Sequence, residues 1–151
     1  MNSIIPTLVG TWFICFTNFP MWLKGNKTNP TFNYSIIKGK ESQLLDEVKF
    51  LKKGKEKSIR GIDYQDNQVP SAFVWHGQGI LRVLKSKWQV KLLDKDGQWA
   101  VIWFSKTLFT PEGVDVICRH SRLDADTFKH IKNQMLQDSV LKKHVHTLIQ
   151  L

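Results

Sequence analysis

Along residues 10–19 the side chains of Trp12, Ile14, Phe16 and Asn18 alternate with those of Phe13, Cys15, Thr17 and Phe19, and both sets are largely apolar. A period of two with apolar residues on both faces predicts a strand that is covered on both sides. The rest of the chain has to supply the two covers.

After a turn-rich connection over residues 20–30, Phe32, Tyr34 and Ile36 alternate with Asn33 and Ser35, and this second strand ends at the turn Lys38-Gly39-Lys40. A third strand over 44–51 carries Leu44, Val48 and Phe50 on one face, with Asp46 intruding on that face. Further strands follow over 58–64, over 71–77 (Phe73 and Trp75 sharing a face) and over 88–92. The pair Asp96-Gly97 between two apolar runs is a strong hairpin signal and leads into a strand over 99–104. The last hairpin turn is Pro111-Glu112-Gly113, and the strand over 114–119 sets Val114, Val116 and Cys118 opposite Asp115, Ile117 and Arg119. About eight strands at this spacing predict an antiparallel meander.

The period then changes. Asp124 is placed to cap a helix on which Phe128, Ile131 and Met135 recur at helical spacing, and Asp138-Ser139 is placed to cap a second one carrying Leu141, Val145 and Leu148. Eight strands joined by hairpins leave exposed edges unless the sheet closes, and an eight-stranded barrel has room inside for side chains or one small ligand. The expected fold is therefore mainly β: an eight-stranded antiparallel up-and-down β-barrel with a C-terminal α-helix or helix pair. It forms one domain over 1–151, with the barrel at about 9–120 and the helical segment at about 124–150. The barrel interior covers one face of the first strand, and the helix covers the other.

Composition changes this picture little. The chain has 151 residues and a net charge of +9, with lysines scattered over turns and strand ends in the manner of solvated, edge-protecting charge. No apolar run approaches the roughly 20 residues of a membrane helix. The first residues carry no basic segment followed by a long apolar one, which places the chain in the cytoplasm as it stands, or in the periplasm or outside the cell if a signal peptide has been removed. Cys15 and Cys118 lie in apolar strands, where they act as small hydrophobes or bridge neighbouring first and last strands.

Gly10-Thr11-Trp12 on the first strand, Arg119 ending the last, and a helix directly after it resemble the lipocalins and the wider calycin group. In that family the Arg packs over the motif Trp and closes the barrel floor, so the resemblance implies a closure role for Gly10, Trp12 and Arg119. The family's middle motif is approximated only by Asp94-Lys95-Asp96-Gly97-Gln98-Trp99, and neither cysteine lies in the C-terminal segment, which excludes the family's common link from there to the barrel.

No catalytic constellation is evident, and His144 and His146, two apart, face different directions on a helix and make a poor metal pair. Neither a metal nor a cofactor is expected. The expected ligand-binding residues are Phe16, Asn18, Trp22, Phe32, Tyr34, Asp46, Phe50, Arg60, Phe73, Trp75 and Trp88, an aromatic interior with a few polar anchors. The leading expectation is binding or transport of a small hydrophobic molecule of the fatty acid, isoprenoid or tetrapyrrole class, entering past residues 20–30 with Trp22 as a lid, by a monomer or weak dimer. The alternative is an isomerase or cyclase on the same barrel using Tyr34, Asp46 or Arg60. A basic nucleic-acid-binding module is less expected and needs tryptophans exposed beside lysines.

Overall fold

A computed structural model describes residues 3–151. A short helix α1 (Ile5–Leu8) leads into β1 (Gly10–Thr17), and a second short helix α2 (Pro20–Leu23) lies in the connection that follows. Then come β2 (Thr28–Ile37), β3 (Lys40–Lys52), β4 (Lys55–Gln65), β5 (Ala72–Gly77), β6 (Lys85–Leu93), β7 (Trp99–Phe104) and β8 (Gly113–Cys118). Helix α3 (Ala125–Leu136), a 3₁₀ turn (Lys142–Thr147) and β9 (Ile149–Gln150) follow.

Each strand from β2 to β8 pairs antiparallel with the next, and β8 returns to β1. The start of β1 pairs with β2, Trp12 standing opposite Phe32, so the sheet is a closed barrel with no free edge along most of its wall. Where β2 leaves β1, β9 takes its place against Phe16 and Thr17.

β1 carries the one irregularity that decides which residues face inward. Ile14 stands opposite Ile117 but Phe16 stands opposite Val116, so Cys15 is an extra residue in a bulge. Before the bulge Trp12 and Ile14 point into the barrel; after it Cys15 and Phe16 both pack outside. The Phe16 ring stacks on Phe128 of α3 at 3.6 Å between centroids.

The molecule thus has two apolar layers. One fills the barrel around Trp12, Leu44, Phe73, Trp88 and Ile102. The other lies between the outer face of β1, β7 and β8 and the buried side of α3, where Val101, Val114 and Val116 meet Ile131 and Met135. Every residue of β8 is buried, as a strand covered on both faces requires. Helix α3 starts where Asp124 accepts the Thr127 N–H at 2.8 Å. The expected second helix is a 3₁₀ turn instead. Asp138 does cap the Val140 and Leu141 N–H groups, but the turn that follows winds as 3₁₀ and stops where the chain extends as β9.

The narrow end of the barrel is shut around one tryptophan. The Trp12 indole N–H donates to the Leu8 carbonyl at 2.8 Å, holding α1 across the opening. On its other side Arg119 places its guanidinium carbon 3.6 Å from the ring centroid and donates to the Thr7, Val9 and Thr11 carbonyls. Gly10 has a φ of +113°, a conformation that side chains rarely adopt and that calls for glycine, and a Cβ there would stand 3.0 Å from an Arg119 nitrogen.

Cys15 and Cys118 form a disulfide across β1 and β8, closing a loop with a sequence separation of 103. Replacing both cysteines by serine is expected to lower the unfolding free energy by roughly 2–5 kcal/mol in urea titrations. Arg119→Ala removes the cation from the indole face and the side-chain donors to the Thr7, Val9, Thr11 and Gly97 carbonyls, and is expected to cost about 2–4 kcal/mol in the same assay. An Arg119→Ala variant as stable as the parent would show that the floor contact is dispensable.

Candidate ligand cavity

The inward faces of the strands do not fill the wide half of the barrel. A cavity of about 180 Å³ remains there, opening beside α2. Phe32 and Tyr34 reach it from β2, Asp46 and Val48 from β3, and Ile59 from β4. Trp75, Ser86, Trp88, Phe104 and Asp115 enter from β5 to β8. The connection after β1 folds over the opening, putting Phe19, Met21 and Trp22 on the rim, with Thr110 opposite. Trp22 is itself buried and sits edge-on to Phe50 at 5.7 Å.

Local sequence explains how the rings are held. Gly61 on β4 has no side chain because the Trp75 indole occupies that space; a Cβ there would stand 2.4 Å from the indole Cε2 atom. Trp88 is clasped between Phe73, stacked at 4.5 Å, and Tyr34, nearly parallel at 5.8 Å. Its N–H donates to an Asp63 carboxylate oxygen at 2.9 Å, which fixes the ring's rotation.

Three carboxyl groups project into this aromatic interior. Asp46, Asp63 and Asp115 are 5%, 0% and 1% exposed, and each has one oxygen without a hydrogen-bond partner. Burial pushes Asp115 up to about 7, the Thr17 hydroxyl bond offsetting part of the effect. Burial raises Asp46 to about 6, and burial together with the Asp46 charge raises Asp63 well above the usual carboxylate range. The Tyr34 phenol is raised by burial and by all three aspartates. No lysine, arginine or histidine lines the cavity.

Of the positions expected from sequence, Trp22, Phe32, Tyr34, Asp46, Trp75 and Trp88 line the cavity. Phe50 and Phe73 face inward but lie behind the lining, against Trp22 and Trp88. Phe16, Asn18 and Arg60 are corrections. The bulge at Cys15 turns Phe16 out to α3. Asn18 lies beyond the end of β1, where it accepts the Val114 N–H and bonds His144 and Thr147, fastening the C-terminal turn to the wall. Arg60 has the opposite parity to Gly61 and its inward neighbours, so it stands outside in an ion pair with Glu47. Of the three residues named for the enzyme alternative, Tyr34 and Asp46 line the cavity and Arg60 stands on the outer wall. All six tryptophans are buried or half-buried. Among the described residues no cluster of three or more metal-ligating side chains occurs.

Asp63, Asp115, Phe104 and the rim residues Phe19 and Met21 went unmarked in the sequence. Asp115 shares the inward phase of Ile117 and Asp63 that of Gly61, but hydrophobicity does not mark either phase as inward, because β8 is apolar on both faces and β4 mixes polar and apolar residues on both. Met21 sits in an aperiodic connection that carries no phase, and Phe19, at the end of the alternating run, lies beyond the end of β1 where α2 begins.

No protein-family model matches the sequence, and no curated protein matches it at a significant level. Its shape does have counterparts. Insecticyanin from the tobacco hornworm Manduca sexta superposes with a TM-score of 0.76 at 13% identity, over 96% of this chain and 78% of that one. Apocrustacyanin C2 superposes with a TM-score of 0.71 at 12% identity, over 95% of this chain and 76% of that one. The siderocalin Ex-FABP gives 0.68 at 13% identity, over 96% and 93% of the two chains. At such identities the likeness is one of architecture, and it agrees with Gly10, Trp12 and Arg119 meeting at the barrel floor: the chain has the lipocalin fold of the calycin group.

Proposed function

We propose that the protein binds a small, largely apolar ligand inside the barrel and carries or sequesters it without transforming it. The observation that carries this reading is the aromatic cavity of about 180 Å³, left open at the α2 end and closed at the floor. A barrel evolved only for stability would fill that space, because close packing is what stabilises a core. Support also comes from the similar fold of a siderocalin described as functioning through dual ligand specificities.

Volume and charge rank the ligand classes. About 180 Å³ is below the roughly 300–1,000 Å³ of sites for drug-sized molecules, so a tetrapyrrole would need the α2 segment to move away. A fatty acid would bring its carboxylate to a cavity lined by aspartates with no cation. A compact body of isoprenoid size fits better than either. The Cys15–Cys118 bridge supports an oxidising location, periplasmic or secreted, over the cytoplasm.

β-Ionone, a compact isoprenoid ketone, is expected to quench tryptophan fluorescence saturably. Trp75→Ala should weaken that binding about tenfold, near 1.4 kcal/mol, while Arg60→Ala on the outer wall leaves it unchanged. Absence of saturable change in either fluorescence or melting temperature across a panel of neutral apolar compounds would overturn the reading.

The buried carboxyls also set the pH dependence of the empty protein. Folded Asp115 keeps its proton up to about pH 7, whereas the unfolded chain loses it near the usual 3.8. The native state therefore binds more protons in that interval, and stability falls as pH rises from about 4 to 7, by up to about 4 kcal/mol from this group. Asp46 and Asp63 act with the same sign. Urea unfolding at pH 5 and pH 7.5 should show the loss, and Asp115→Asn should flatten it.

A further inference from the structure

We propose that the ligand is a compact organic cation, a protonated amine on an aromatic or apolar body, with its ammonium seated at the Asp46 and Asp115 carboxylates and its body against Trp75 and Trp88. This deepens the carrier reading above and rests on it.

The argument starts from a cost the fold bears. Asp46, Asp63 and Asp115 are buried in the barrel wall and each leaves an oxygen unpartnered. A buried polar atom without a partner typically costs about 1–3 kcal/mol, and a charged one more. Asp63 has a structural use, since it fixes Trp88. Asp46 and Asp115 line the cavity, and any apolar residue of similar size would remove their cost. Two carboxyls held at that cost in the lining of an open space point to a group that arrives from outside.

The sign of that group follows from what surrounds them. The chain carries 22 lysines and arginines, yet none lines the cavity, and no histidine does. An anionic ligand would meet only like charge and the Tyr34 phenol. A neutral ligand leaves the carboxyl oxygens as they are. An ammonium brings three N–H donors and the missing charge, and aromatic faces nearby add cation–π attraction. Tyr34 and Trp88 lie nearly parallel, and Phe32 and Phe104 complete an aromatic enclosure. The cavity volume suits a body of one or two rings.

Proton linkage gives the proposal a second, independent face. The groups beside Asp115 are the Thr17 hydroxyl on β1 and the Tyr34 phenol on β2, Asp46 on β3 shares its cavity, and no lysine, arginine or histidine among the described residues lines that cavity to hold it ionised. In the empty barrel burial keeps protons on these carboxyls; an entering ammonium favours their ionised forms, so binding releases a proton to solvent. Affinity for the cation then falls as pH drops from about 7.5 to 5.5, across the range in which Asp115 and Asp46 take up protons.

Three ligands with one body and different charge test this by titration calorimetry of the intact protein: tryptamine, 3-ethylindole and indole-3-propionate. The expected order is tryptamine first, at least tenfold tighter than 3-ethylindole, with indole-3-propionate weakest. Tryptamine affinity should fall at least tenfold between pH 7.5 and pH 5.5, with buffer-dependent heats that report proton release. Asp115→Asn and, separately, Asp46→Asn should each weaken tryptamine at least tenfold while leaving 3-ethylindole within threefold, which also shows that the variants are folded. Tryptamine binding no tighter than 3-ethylindole, or with no pH dependence, overturns the proposal, as does binding of β-ionone alone; in each case the carrier reading survives. If neither the three indoles nor neutral apolar compounds bind, both fall.

Discussion

Arg119 donates to the carbonyls of Thr7, Val9 and Thr11 while its guanidinium lies over the Trp12 indole, so that α1, the start of β1 and the end of β8 meet at a single side chain. That junction packs the floor around the buried Trp12, while the cavity lies toward the other end beside α2, in an interior whose low polarity strengthens every electrostatic effect. The raised titration of Asp46, Asp63 and Asp115 follows from burial behind that floor, because burial is the leading cause for each. Closure at one end and chemistry at the other are thus one physical arrangement.

Much of the architecture was legible in the sequence. Alternation over residues 10–19 with both faces apolar required two covers, and the barrel interior and α3 are those covers. The Asp96-Gly97 turn, the Asp124 cap and the Gly10, Trp12 and Arg119 set could be read because each rests on local geometry or a short motif. What failed was phase. A single extra residue at Cys15 inverts β1 beyond Ile14, so a face drawn straight through Trp12, Ile14, Phe16 and Asn18 crosses from inside to outside midway. A bulge of this kind leaves no mark in hydrophobic alternation when both faces are apolar, since either phase satisfies the pattern. Arg60 failed for a related reason: β4 alternates Ile59, Gly61 and Asp63 with Arg60, Ile62 and Tyr64, and hydrophobicity does not separate the two sets. The space Gly61 gives to Trp75 settles the phase, and that is a contact between strands.

Charge is divided between the two sides of the wall. Outside, the protein is strongly basic, and Arg60 finds a partner in Glu47 at the surface. Inside, the ionisable groups lining the cavity are two aspartates and a tyrosine. In the complex proposed above, the aromatic enclosure would supply the apolar area and the interior carboxyls the discrimination.

Native mass spectrometry of the protein isolated from its own source addresses the central claim most directly, because it reads the occupant of the barrel without choosing one beforehand. The account predicts one small molecule per chain, released on gentle activation and absent from a Trp75→Ala, Asp115→Asn double variant prepared in the same way. A chain that runs at its bare mass after exposure to its native extract, or an adduct that persists in the double variant, would contradict it.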